Sequence, residues 1–86
     1  MDLDGWRARI DALNGKLVDL LNERARCALG IAGLKKQRGL PVQDMARERE
    51  VLENVARDNQ GPLSNEALAR IFNCVMEEHR KLEEKV

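Results

Sequence analysis

The chain has no tyrosine, one tryptophan and one phenylalanine. A platform of stacked aromatic side chains for single-stranded nucleic acid is therefore excluded. Neither charge is in excess, because 15 Lys and Arg stand against 15 Asp and Glu. General nucleic-acid binding rests on a basic surplus, so this balance argues against it. No apolar run nears the roughly 18 residues of a membrane span. Met1-Asp2-Leu3-Asp4 lacks the basic start and apolar stretch of a secretory signal. Two cysteines are too few for a disulfide scaffold, and a reducing cytoplasm is the expected compartment. The single histidine rules out a histidine metal cluster. Threonine is absent and no β-branched alternation occurs, so strands have little support.

What remains is an all-α chain. In 86 residues, 43% are hydrophobic and 35% charged, which suits one ordered domain over residues 1–86. The two prolines, Pro41 and Pro62, sit in loop-like stretches and divide the sequence into three helices, one long and two shorter. The first is expected from about Leu3 to Arg38, with Gly39 as its stop. The second starts near Asp44, a good N-cap, and ends near Asp58. The third starts at Ser64, with Glu66 in its first turn. Its apolar stripe is Leu68, Ile71, Phe72, Val75, Met76 and Leu82, with His79 and Glu83 on or beside it.

Along the first helix, apolar residues fall at Leu3, Trp6, Ile10, Leu13, Leu17, Leu20, Cys27, Ile31 and Leu34. Steps of three and four alternate, with one position taken by Arg24. Such a stripe packs against other helices along its length. A helix this long measures roughly 54 Å, whereas a compact chain of this size has a radius of gyration of only about 12 Å. Two shorter helices cover only part of it, so a homodimer with paired long helices is expected, with a monomeric three-helix hairpin frayed at one end as the alternative.

The informative charges are those that interrupt apolar faces. A guanidinium in a stripe needs compensation, and an intramolecular salt bridge is the plainer reading of Arg24. Lys35 follows at a distance that returns to nearly the same face, with Ala28, Ile31 and Ala32 between them. Glu48 lies in line with the second helix's stripe of Val51, Leu52 and Val55. Cations and a carboxylate inside a helical bundle form a pocket for a small anion. Arg7 lies about 25 Å from Arg24 along the same helix; an antiparallel dimer permits the partner's Arg7 to reach that pocket, and a surface Arg7 is the plainer reading. Cys27 and Cys74 occupy helical core positions and are expected as inert buried thiols. No glycine-rich phosphate loop occurs. An enzyme built this way works by binding and electrostatics.

The residues resemble the all-helical class of chorismate mutases. The resemblance rests on Trp6-Arg7-Ala8-Arg9-Ile10-Asp11-Ala12-Leu13-Asn14, Leu20-Leu21-Asn22-Glu23-Arg24 and Gly33-Leu34-Lys35-Lys36. It continues in Pro41-Val42-Gln43-Asp44-Met45-Ala46-Arg47-Glu48-Arg49-Glu50, Gly61-Pro62-Leu63-Ser64 and Ile71-Phe72. It implies an intertwined homodimeric helical bundle that rearranges chorismate to prephenate without a cofactor or metal. It further implies that the partner's Arg7 and the local Arg24 hold the two substrate carboxylates, and that Lys35 reaches the ether oxygen and a carboxylate. Glu48 takes the ring hydroxyl, helped by the backbone at Asp44 and by Arg47. Glu83 stands where the family has Gln or Glu facing the ether oxygen. His79 stands where a Ser often helps with the ring carboxylate, which is a departure. An isochorismate-pyruvate lyase of the same fold, a mutase acting on the 4-amino analogue, and a non-catalytic dimerisation or regulatory module are the alternatives.

Overall fold

Capping residues set the ends of each helix. The computed structural model describes residues 1–86 and contains α1 (Leu3–Arg38), α2 (Met45–Asp58) and α3 (Asn65–Glu83). The Asp2 carboxylate accepts from the Gly5 amide at 2.8 Å and starts α1. At the other end Gly39 takes a left-handed conformation, φ 66°. Its amide then donates to the Lys36 carbonyl at 3.3 Å, and the Leu40 amide donates to that of Lys35 at 2.8 Å. This paired bonding satisfies carbonyls that would otherwise be left open at the helix end. Asp44 accepts from the Arg47 amide at 3.0 Å to start α2, and Ser64 accepts from that of Ala67 at 3.0 Å to start α3.

The turn between α2 and α3 is organised by Asn59. Its amide group donates to the Leu63 carbonyl and the Asn65 side chain, both at 2.8 Å, while its oxygen accepts from the Gly61 amide at 2.9 Å. Gly61 supplies the positive φ, 76°, that this tight reversal requires.

Helix α3 packs on both α1 and α2, whereas α1 and α2 make no close backbone contact and only face each other. The seam between α1 and α3 is built from small residues. Ala25, Ala28 and Ala32 are buried there, and Met76 and His79 are the buried residues of α3. These five are the only buried residues of the chain. The molecule measures 54 × 24 × 15 Å with a radius of gyration of 15.8 Å, well above the ~12 Å of a compact chain of this length.

Two sequence expectations change here. The large residues of the α1 stripe, from Leu3 through Leu20 and again at Ile31 and Leu34, are exposed in the single chain. The helix packs on its own chain through alanines one face away, which contribute little to a hydropathy pattern. Cys27 and Cys74 are exposed as well, and not buried core thiols. No helix is long and apolar enough to cross a membrane.

Candidate active site

The C-terminal half of α1, the start of α2 and the end of α3 enclose a cleft of about 380 Å³. Arg24 and Lys35 enter it from α1, Asp44, Arg47 and Glu48 from the head of α2, and His79 and Glu83 from α3. The structure therefore gathers seven of the eight residues singled out in the sequence. Arg7 is not among them, and it lies on the exposed N-terminal half of α1.

The two α1 cations have no carboxylate partner. Arg24 is half-buried, and its Nη1 donates to Nδ1 of His79 at 2.7 Å. The intramolecular salt bridge considered for it does not form: the four ion pairs of the chain involve other residues. Lys35, also half-buried, donates to the Val42 carbonyl at 2.7 Å. That bond ties the last turns of α1 to the loop leading into α2. An ammonium has three donors, so Lys35 keeps two for the cleft.

Glu48 is held from two directions. Arg80 donates to one oxygen at 2.9 Å, and Gln43 approaches the other at 3.4 Å. Arg47 pairs with Glu50 at the rim of the cleft, and the Asp44 carboxylate is engaged in capping α2. His79 is 7% exposed. Its pKa lies below the ordinary 6.5, first because burial disfavours the charged ring and second because Arg24 repels it. The Leu21 backbone beside the ring and the charge of Glu83 act in the opposite direction.

Arg80 and Gln43 are site residues that sequence reasoning did not single out. One signal was available for Arg80. A carboxylate placed in line with an apolar stripe, as Glu48 is, calls for a cation on a neighbouring helix. Arg80 lies 32 residues away from Glu48, so no local pattern identifies it.

A cleft carrying two uncompensated cations beside an oriented carboxylate can hold a dianion and accept a hydroxyl proton donor. The family model described as chorismate mutase type II matches residues 6–84. The chain belongs to this family. Over 87 residues it is 41% identical to the bifunctional chorismate mutase/prephenate dehydratase of Pseudomonas aeruginosa, an alignment covering 95% of this chain and 24% of that protein. The chain thus spans about a quarter of the length of that curated relative. Two solved chorismate mutases share the fold. The Thermus thermophilus protein (form II) superposes with a TM-score of 0.94 at 32% identity, covering 95% of this chain and 93% of that one. The Helicobacter pylori chorismate mutase in complex with prephenate superposes with a TM-score of 0.89 at 35% identity, covering 96% and 90%.

Proposed function

We propose that the chain is a chorismate mutase that rearranges chorismate to prephenate. The observation that carries this reading is the pair Arg24 and Lys35. Both are half-buried, neither has a carboxylate partner, and both face the cleft that holds Glu48. Cations withdrawn from water without compensation destabilise a fold. A dianionic substrate supplies the missing counter-charge. The Helicobacter pylori relative, solved with prephenate, supports the substrate class.

The reaction breaks one C–O bond and forms one C–C bond within a single molecule. It needs no nucleophile and no external proton. The protein has to hold a flexible dianion in its compact reactive shape, and fixed donors on two helices do this by orientation. It also has to stabilise the negative charge that grows on the ether oxygen as the bond stretches. A prepositioned donor in such a site supplies about 3–4 kcal/mol. Lys35 is assigned that task, with Glu83 of α3 facing the same oxygen from the other side. Arg24 binds a carboxylate. Glu48 accepts from the ring hydroxyl, aided by the α2 head at Asp44 and Arg47.

The working unit is proposed to be a two-fold homodimer. A second trough runs beside the first, lined by Val51 and Val55 of α2 and Leu68 and Phe72 of α3, and it also reaches Arg24. The exposed stripe of α1, Leu3 to Leu20, is the other uncovered apolar surface. Laying each N-terminal half of α1 on the partner's trough covers both surfaces at once and is self-complementary. The same arrangement carries the partner's Arg7 toward the cleft. The free thiols of Cys27 and Cys74 suit a reducing compartment, and the cytoplasm is proposed.

The test is direct. Purified protein is mixed with chorismate and the product identified by mass and NMR, with the size of the active species measured by ultracentrifugation. Prephenate from a dimer is expected. Pyruvate release, or no turnover by folded protein, overturns the reading.

A further inference from the structure

We infer that His79 is a positioning residue whose Nδ1 lone pair holds the Arg24 guanidinium in the cleft, so that Arg24 is set for an anion only while the imidazole is neutral. The catalytic half of this inference rests on the proposed mutase reading.

The geometry starts from donor and acceptor inventory. A guanidinium has donors only. The 2.7 Å contact between Arg24 Nη1 and His79 Nδ1 therefore requires Nδ1 to accept, and the ring proton sits on Nε2. The Leu21 carbonyl is the backbone acceptor beside the ring. The imidazole thus reaches from α3 to α1, where it accepts from Arg24. It is only 7% exposed.

A longer side chain at this position changes its task. In the family resemblance a Ser stands here and meets the substrate's ring carboxylate. In this chain the acceptor is engaged by Arg24, and His79 acts on the carboxylate through that residue.

Protonation undoes the arrangement. A second N–H on Nδ1 would face the Arg24 N–H, donor against donor and cation against cation. The charged groups that line the cleft with the ring are Arg24 and Lys35 from α1, Asp44, Arg47 and Glu48 from the head of α2, and Arg80 and Glu83 from α3. Of these, Arg24 opposes the protonated ring and Glu83 favours it, while burial opposes it most.

The chain contains one histidine, so its ring can be observed without assignment. In protein carrying ¹⁵N-labelled histidine, the neutral Nε2–H tautomer is expected, with a titration that lies below 6.5 and moves upward in Arg24→Gln. Detection of the Nδ1–H tautomer, or an unmoved titration in Arg24→Gln, overturns the inference whether or not the protein turns over chorismate. For turnover, His79→Leu should lower kcat/KM by about tenfold to hundredfold, the weight of a hydrogen bond to a charged group. The loss should fall mainly in KM. His79→Asn places an amide oxygen near the Nδ1 position and does not titrate. It should recover most of that loss and remove the decline of kcat/KM expected of the parent as pH falls through the lowered pKa of the ring. Equal activity of the Leu and Asn variants, or an acid decline that persists unchanged in Asn, overturns the positioning role. If His79→Leu does not fold, the Asn profile and the ring spectrum decide. A parent without mutase activity sinks the proposed function, and the ring spectrum still decides the contact.

Discussion

Arg80 of α3 reaches Glu48 of α2 with 2.9 Å between Nη1 and Oε1, and both side chains are only about a quarter exposed, 26% and 28%. This bond joins two walls of the cleft and leaves Glu48 with one oxygen for other partners. By contrast, the Lys81–Glu78 pair one residue further along has side chains exposed to 58% and 67%. Exposed pairs contribute little, whereas breaking a sheltered one leaves a charge without its counter-charge. Arg80→Met should therefore destabilise the protein by about 1–2 kcal/mol, and Lys81→Met by under about 0.5 kcal/mol. Urea unfolding of the two variants measures the difference. Equal midpoints would show that the cross-helix bond does not hold Glu48 in solution.

Arg24→Ala and Lys35→Ala should each lower kcat/KM by about a hundredfold to a thousandfold, the usual effect of removing one preset donor from a reacting centre. Neither should unfold the chain, since each removes a half-buried charge that no carboxylate balances. Circular dichroism and steady-state kinetics together check this. A folded Lys35→Ala protein with near-parental turnover would remove Lys35 from the ether oxygen.

Sharing of sites between chains has a numerical signature. Arg7→Ala and Arg24→Ala should each be inactive alone. Refolded together in equal amounts, half the dimers are mixed and one site of each is intact, so about a quarter of parental activity should return. Mixed dimers verified by native mass spectrometry without any recovery would place Arg7 outside the site.

Glu83 should be replaceable by a neutral donor but not by an apolar side chain. Glu83→Gln offers an amide N–H toward the ether oxygen and should retain activity. Glu83→Leu has no donor and should lower kcat/KM by about tenfold to hundredfold. Steady-state kinetics of the two variants check this. Equal activity of the two would mean that residue 83 does not face the ether oxygen.

Stability carries a separate pH signature at His79. Its pKa in the folded chain lies below the 6.5 expected when unfolded. Between those two values the unfolded chain binds a proton that the folded chain refuses. Stability is therefore full above about 6.5 and declines as pH falls through the folded value. Urea midpoints of the parent and His79→Asn, taken over that range, should converge on the acid side. A parental midpoint that does not respond to pH there counts against the buried neutral ring.

Much of the architecture was legible because its signals are local. Leu3 to Arg38, the caps at Asp44 and Ser64, and the stop at Gly39 each depend on residues within a turn of one another, and all stand where the sequence placed them. The meeting of Arg24, Lys35 and Glu48 followed from helix periodicity plus the unusual sight of charge within an apolar stripe. The partners of those charges were not legible. Arg24 is bonded to His79 at a separation of 55 residues, and Glu48 to Arg80 at 32. Such pairs depend on how helices are set against one another, which no short window encodes. Cys27 and Cys74 were misplaced for a related reason. Periodicity identifies an apolar face, but it does not say whether the chain's own helices lie against that face.

The bond from Lys35 to the Val42 carbonyl turns the connection between α1 and α2 into a gauge. Surface loops ordinarily absorb added or deleted residues with little effect on fold. Here the loop backbone holds the ammonium proposed to meet the breaking bond. Natural variation in the length of residues 39–44 would be read out in chemistry before it was read out in folding, so the segment that looks freest to drift is tethered to the reaction.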